Sequence, residues 1–264
     1  MKKSDKISSM KDLSNQNVQH IHSDTVDYLL FPAFAQYGVV AIDAIKGRQN
    51  LSYSGEATVE FQNLCAEIGA DFNKVVRIHE QVHGNTCIRV DAPNQEIPPC
   101  DCLMTNVPGI ALATREADCV PILIFDPVRR VIANVHSGWR GTVKHIVRYA
   151  IENMKNEYGS NPADLLCALL PSIGADHFFV HDDVRTPFEG EFDNVKIQPL
   201  DDGYLLDAVS CVKEDLLKSG VLLEHIIDSE ICATCEADQI NSCRGGAGKM
   251  RNAAMILIKE ANEK

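Results

Sequence analysis

Short apolar runs recur along this chain, most of them too brief to be helices. DYLLF near 27–31 and VVAIDAI at 39–45 open the series, and KVVRI at 74–78 and TCIRV at 86–90 flank the polar segment HEQVHGN. In the middle, IALAT (110–114), VPILIF (120–125) and RVIANV (130–135) are separated by turn chemistry such as Asp126-Pro127. These runs lack the alternation of a half-exposed strand, which predicts strands buried on both faces, and LLCALL at 165–170 reads the same way. Helical spacing predicts a helix over 56–68, where Ala57, Phe61, Leu64, Cys65 and Ile68 share a face, Ser54 caps the start and Gly69 closes the end. A second helix, about 142–157, follows SGWRGT, carries Val143, Ile146, Val147, Ala150, Ile151 and Met154, and stops at Asn161-Pro162. A third follows Asp207, carries Val209, Val212 and Leu216, and ends at Gly220. Strands alternate with helices irregularly, which predicts an α/β fold of the α+β type, with layered mixed sheets flanked by helices, rather than a doubly wound sheet. The acidic stretch 181–204 is expected to be loops, and residues 1–23 a flexible tail before one domain spanning 24–264.

Length and charge narrow the function. At 264 residues the chain can bury a self-sufficient core without staples. A net charge of -12 argues against nonspecific binding to nucleic acid or anionic membranes, while leaving room for a local basic pocket. The longest apolar runs are far too short to span a bilayer, and the first residues carry no signal-peptide pattern, so a cytoplasmic location is expected. Under that expectation the ten cysteines are reduced thiols. Cys232-x-x-Cys235 is half of a metal or redox site, or a coincidence. No second such pair completes a zinc set, and Cys100-Asp-Cys102 is too tight for the usual knuckle.

Three polar positions stand where buried strands end: His83 in QVHG, Cys119 in ADC and His136 in NVHSGWRG. A thiolate with two neutral imidazoles suits Zn²⁺ and leaves a fourth position open. The separations are 36 and 17 residues, so no local spacing supports the set, and the alternatives are satisfied core residues or a metal-free Cys119–His catalytic pair. Gly138-Trp139-Arg140-Gly141 opens a predicted helix, where Arg140 pairs with a phosphate or with a surface carboxylate. Trp139, the only tryptophan, either stacks on an aromatic base or packs into the core. Ser242-Cys243-Arg244-Gly245-Gly246, followed by Gly248-Lys249-Met250-Arg251, is a glycine-rich basic stretch in an acidic chain: an anion contact or a surface turn, and not a P-loop.

QVHG at 81–84, ADCVPIL at 117–123, NVHSGWRGT at 134–142 and PSIGA at 171–175 together resemble the YfiH/DUF152 family, long labelled polyphenol oxidase or multicopper laccase. Weaker likenesses are Asn50-Leu51-Ser52, Asp101 and Thr105, Asp207, Cys232, and Ser242-x-Arg244. The resemblance extends over about residues 26–260. It implies a zinc site made by His83, Cys119 and His136, with copper as the alternative ion. It also implies phosphorolysis of adenosine, inosine, guanosine and methylthioadenosine, and deamination of adenosine. Purine nucleosides and phosphate are then the expected partners, with Asn50, Trp139, Arg140 and Arg244 as substrate or phosphate contacts and Asp118 as a proton relay or ligand-orienting group. Asp176-His177-Phe178-Phe179-Val180 departs from the family's Cys-Cys-Tyr-Glu-Val, which places His177 near the metal as a further option. Two other classes stay open. A copper-dependent phenol oxidase would need many histidines, and the only His-x-His pair is His20-x-His22 in the expected tail. A metal-free Cys119–His hydrolase would leave a free reactive thiol.

Overall fold

The computed structural model describes residues 11–23, 25–46 and 58–260. In chain order its elements begin with β1 (Gln19–His22), β2 (Asp27–Leu30), β3 (Val39–Ala44), α1 (Thr58–Ile68), β4 (Val75–Arg77), β5 (Cys87–Arg89) and β6 (Cys102–Thr105). Next come β7 (Ala111–Glu116), β8 (Val120–Asp126), β9 (Val131–Ser137), α2 (Trp139–Val143), α3 (Ile146–Tyr158) and β10 (Leu166–Leu169). The last group is β11 (Phe179–Val180), α4 (Asp182–Glu191), β12 (Ile197–Leu200), β13 (Gly203–Leu206), α5 (Ala208–Lys218), β14 (Ile226–Asp228) and β15 (Asn252–Ile258).

Two six-stranded mixed sheets, ordered β1-β2-β3-β15-β7-β4 and β14-β10-β8-β9-β6-β5, stack face to face, and β11-β13-β12 form a third. The expected burial on both faces holds throughout β8 and β9, β15 shares it, and its cause is the layering. Leu112, Leu123, Phe125, Ile132, Ala254 and Ile256 point between the two large sheets. Their neighbours Ile122, Ile124, Ala133 and Val135 point outward under α3 and α5. On the other side, Ala111, Ala113, Met255 and Leu257 face Phe61, Leu64 and Ile68 of α1. The layers therefore run helix, sheet, sheet, helix, and period-two alternation separates two apolar interfaces rather than core from solvent.

Several expectations change. The expected tail is ordered from residue 11: β1 pairs antiparallel with β2, Leu13 and Val18 are buried, and the Asn15 and Asn17 side chains donate to the carbonyls of Ser229 and Asp228. Those amides anchor a stretch whose apolar content alone is too thin to announce a strand. The expected loops at 181–204 are α4 followed by the β12–β13 hairpin. Few apolar residues mark that stretch, and Phe188 and Phe192, four apart, carry its packing against Val180 and Leu206. The predicted single helix at 142–157 is two, because His145 adopts φ 55° and breaks the ladder between α2 and α3, held by Asp215. Gly159, at φ 72°, ends α3 ahead of Asn161-Pro162. β15 has no counterpart among the predicted elements. The candidate cap Ser54 and the Asn50-Leu51-Ser52 element lie outside the described residues. Among the described residues no helix is long and apolar enough to cross a membrane.

One buried polar residue ties the two large sheets together. Asn134 of β9 donates to the carbonyls of Leu112 (3.0 Å) and Ala254 (2.9 Å) and accepts from the Thr114 hydroxyl (2.7 Å). Asn134→Ala strands those partners in a dry interior and is expected to cost about 3 kcal/mol. Urea unfolding checks this: the midpoint falls while the slope is unchanged.

Candidate metal centre

The strand register builds the centre. Along β9 the inward series Ile132, Asn134 continues to His136, at the open end of the space between the sheets. β8 pairs with β9 so that Pro121 lies opposite His136 and Val120 opposite Ser137, which brings Cys119 alongside Gly138. Asp118, just before it, makes the turn from β7 to β8 at φ 83°. On the other flank Cys102 of β6 pairs with Val135, and the His136 amide donates to the Asp101 carbonyl at 2.8 Å. His83 arrives on the connection between β4 and β5, itself at φ 55°.

The ligand atoms of His83, Cys119 and His136 all lie within 4.8 Å of one another. Cys119 Sγ is 3.8 Å from His83 Nε2, and the two imidazoles meet edge to face with centroids 4.9 Å apart. Gly138 borders the centre so tightly that an added Cβ would stand 2.2 Å from His83 Cδ2 and 3.2 Å from Cys119 Sγ. The fully buried Asp101 organises the set. Its Oδ1 meets His136 Nδ1 at 2.9 Å and accepts from the His83 amide at 3.0 Å, while Oδ2 accepts from the Gly84 amide at 2.7 Å. A carboxylate on Nδ1 turns the Nε2 lone pair of His136 toward the other ligands, the arrangement metal-binding histidines use. Sulfur and two nitrogens at this spacing fit an ion of zinc's type, with a fourth position left for solvent or substrate. Sequence spacing could not assign Asp101 this role, because it comes from the β6–β9 register.

Charge at the centre is set by the same contacts. Burial alone raises the Cys119 thiol, but hydrogen bonds and charge from His136 and His83 outweigh it and bring the pKa down to about 6. Burial likewise lowers His136, and the Asp101 and Cys119 partners override it, raising the imidazole to about 9. Without metal, the pair at neutral pH is a thiolate beside an imidazolium. Between pH 6 and 9 an entering ion therefore expels about one proton, from His136. Below that window a second proton comes from Cys119, and affinity falls more steeply with acid. Zinc calorimetry in buffers of differing ionisation enthalpy, taken as wild type minus Cys119→Ala, checks the count.

Behind the centre, the buried carboxyls of Asp43 and Glu116 neighbour each other between the sheets. Burial pushes Asp43 up to about 7, and burial together with the charge of Asp43 pushes Glu116 well above the carboxylate range. The pair therefore keeps a proton at neutral pH. No motif marks either residue in the sequence.

Two cavities meet at Cys119. One, of about 370 Å³, has apolar walls that include Trp139, Phe178, Ile173 and Val120, with Asp118 and Arg244 among its polar groups. The other, of about 290 Å³, is polar and is lined by His83, His136, Gln81, Glu116, Arg115 and Arg251. The fold thus brings Asp118, Trp139 and Arg244 to the first cavity. Asp118 Oδ2 accepts from the Arg244 amide at 2.7 Å, while Oδ1 is buried with no hydrogen-bond partner. The Arg244 guanidinium donates to the carbonyls of His177 and Phe179 at 3.2 Å. Arg140 lines neither cavity; it is exposed, with its guanidinium 4.2 Å over the Trp139 ring. Asn50 lies outside the described residues. Arg115 was not marked by the sequence, whereas Arg251 belongs to the basic stretch at 248–251.

A family model described as multi-copper polyphenol oxidoreductase laccase matches residues 55–259. Purine nucleoside phosphorylase YlmD of Bacillus subtilis (strain 168) is 33% identical over 165 residues, covering 61% of this chain and 59% of that protein. The match thus spans somewhat over half the length of that curated relative. Adenosine deaminase RL5, from an unknown prokaryotic organism, is 31% identical over 194 residues, covering 69% of this chain and 73% of its own length. Among solved structures, YlmD from Geobacillus stearothermophilus superposes with a TM-score of 0.82 at 25% identity, over 95% of this chain and 100% of that one.

Proposed function

Since this chain belongs to the YfiH/DUF152 family, the one whose model is described as multi-copper polyphenol oxidoreductase laccase, we propose that it is a metal-dependent enzyme of purine nucleosides. The observation that carries this reading is the junction at Cys119, where an aromatic-walled cavity opens beside a polar one that holds all three metal-ligating side chains. The names of the phosphorylase and deaminase relatives support the substrate class.

His83, Cys119 and His136 would hold the ion, which this reading takes to be zinc. When bound, such an ion supplies Lewis acidity and lowers the pKa of nearby water to near neutrality. The chain's own groups divide the remaining work. Trp139 and Phe178 offer faces for a purine, and the apolar walls exclude water from it. Asp118 Oδ1, buried and without a partner, is the atom placed to exchange a proton with the base. Arg115 and Arg251 make the polar cavity the anion side. Arg244 holds the wall at His177 and Phe179 and adds positive charge to the apolar cavity.

In phosphorolysis, a phosphate oxygen on the arginine side bonds to the anomeric carbon, the glycosidic C–N bond breaks, and the purine leaves with a proton. In deamination, water adds at the amine-bearing carbon, the C–N bond to the amine breaks, and Asp118 returns a proton to the departing ammonia. Purified protein with adenosine, inosine, guanosine or methylthioadenosine, with and without phosphate, distinguishes the two by chromatography. Free base and ribose 1-phosphate that require phosphate identify the first; inosine and ammonia from adenosine without phosphate identify the second. Turnover of none of the four contradicts the reading. Oxygen uptake with a phenol and a copper-loaded protein would replace it with the oxidase chemistry of the family's description.

A further inference from the structure

Away from the first centre, a second group of soft ligands closes on itself. His177, Cys232 and Cys235 have their ligand atoms within 4.8 Å of one another. His177 Nδ1 stands 3.7 Å from Cys232 Sγ and 3.7 Å from Cys235 Sγ. A tetrahedral zinc centre with Zn–S near ~2.3 Å and Zn–N near ~2.0–2.1 Å has sulfur-to-nitrogen edges of roughly 3.5–3.6 Å. The two sulfur-to-nitrogen separations lie within about 0.2 Å of that edge.

The backbone around the cluster holds one sulfur in place. Cys232 Sγ accepts the amides of Gly174 at 3.2 Å and Cys235 at 3.4 Å. Two N–H donors aimed at one sulfur fix where it sits. The approach of Gly174 depends on its missing side chain, since a Cβ there would lie 3.0 Å from the same sulfur. Cys232 is pinned by a bridge to Ser172, and the Ala233 amide donates to the Ser172 carbonyl at 2.8 Å. The turn that presents His177 is closed by its amide on the Gly174 carbonyl at 3.0 Å.

We infer that His177, Cys232 and Cys235 form a second metal site, taking one zinc ion per chain. A set of two thiolates and an imidazole selects a soft or borderline ion, and zinc accepts all three donors. The ion clamps the 172–180 segment to the 232–235 turn. That segment supplies Phe178 to the apolar cavity and the carbonyls of His177 and Phe179 to Arg244. The site is a clamp on the cavity wall, outside the ligand set of the first centre, and the inference stands whether or not nucleosides are the substrates.

Zinc counted by mass spectrometry in the full-length chain, purified under reducing conditions, tests it. The expected counts are two per chain for wild type, one for Cys235→Ala, one for Cys119→Ala and none for the double variant. Because Cys235 is exposed, its substitution leaves the fold intact, and the ion retained at the first centre reports that. Cobalt-substituted protein gives a second readout, since Cys235→Ala lowers the thiolate-to-metal charge-transfer absorption to the share that Cys119 contributes at the first centre. A count that Cys235→Ala does not change overturns the inference. So does a Cys232–Cys235 disulfide that, once reduced, still takes up no zinc.

Discussion

Replacing Cys119 by alanine is expected to remove the ion from the first centre and to lower nucleoside turnover by about 10³-fold or more. The sulfur is the one anionic ligand of the three, and its pKa of about 6 means that it is already a thiolate at neutral pH. Lewis-acid stabilisation contributes several kcal/mol to a barrier, and each ~1.4 kcal/mol is tenfold in rate. The fold should survive, because the half-buried thiol is a small part of the core and alanine fits its space. Elemental analysis, a thermal melt and steady-state kinetics on the same preparation separate these effects. Cys87→Ala is the matched control: its thiol lies on β5, in none of the ligand groups found among the described residues, and it should keep both metal and rate. Full activity in Cys119→Ala would leave the centre without a catalytic part.

Asp101→Asn is expected to weaken zinc binding by about 10–100-fold while leaving all three ligands in place. The side chain receives three donors at once: His136 Nδ1, the His83 amide and the Gly84 amide. An asparagine of the same shape turns one acceptor into a donor, which then faces a donor. The His136 ring loses the partner that fixes its tautomer, and the His83 backbone loses the anchor that holds its left-handed turn. In the metal-free protein the variant is expected to cost about 2–3 kcal/mol, because the buried His136 imidazolium keeps the Cys119 thiolate but loses its hydrogen-bonded Asp101 carboxylate. Burial pushes the Asp101 carboxyl up, but the contacts to His136, Gly84 and His83 hold it below the ordinary carboxylate value. The stability it contributes is therefore present above that ordinary value and is lost as acid lowers the pH through the folded one. Competition titration against a chromophoric chelator measures the affinity, and denaturant unfolding of the metal-free protein measures the stability.

The runs at 110–114, 120–125 and 130–135 are local signals, and they give β7, β8 and β9 nearly to the residue. The outer faces of those strands are as apolar as the inner ones, so the pattern also reports that both sides are covered. Convergence of His83, Cys119 and His136 is a different matter. It depends on Pro121 lying opposite His136 and on Asp101 reaching both histidines, and pairing registers leave no trace in local periodicity. Only likeness to a family joined the three positions. Cys232-x-x-Cys235 shows the same limit. The motif was visible, but its third ligand sits 55 residues upstream, and the β-bridge at Ser172 that delivers it is nonlocal. Stretches 11–22 and 181–204 were hidden for another reason: side-chain amides and two spaced phenylalanines hold them, not a continuous apolar face.

On the reading proposed above, His83, Cys119 and His136 grip one divalent ion where the two cavities meet. Anomalous diffraction from crystals of the purified protein, recorded on both sides of the zinc edge, addresses it directly. The expected result is a zinc peak about 2.3 Å from Cys119 Sγ and about 2.0–2.1 Å from one ring nitrogen of each histidine. Well-ordered crystals of active protein with no peak within bonding distance of these three side chains would contradict it.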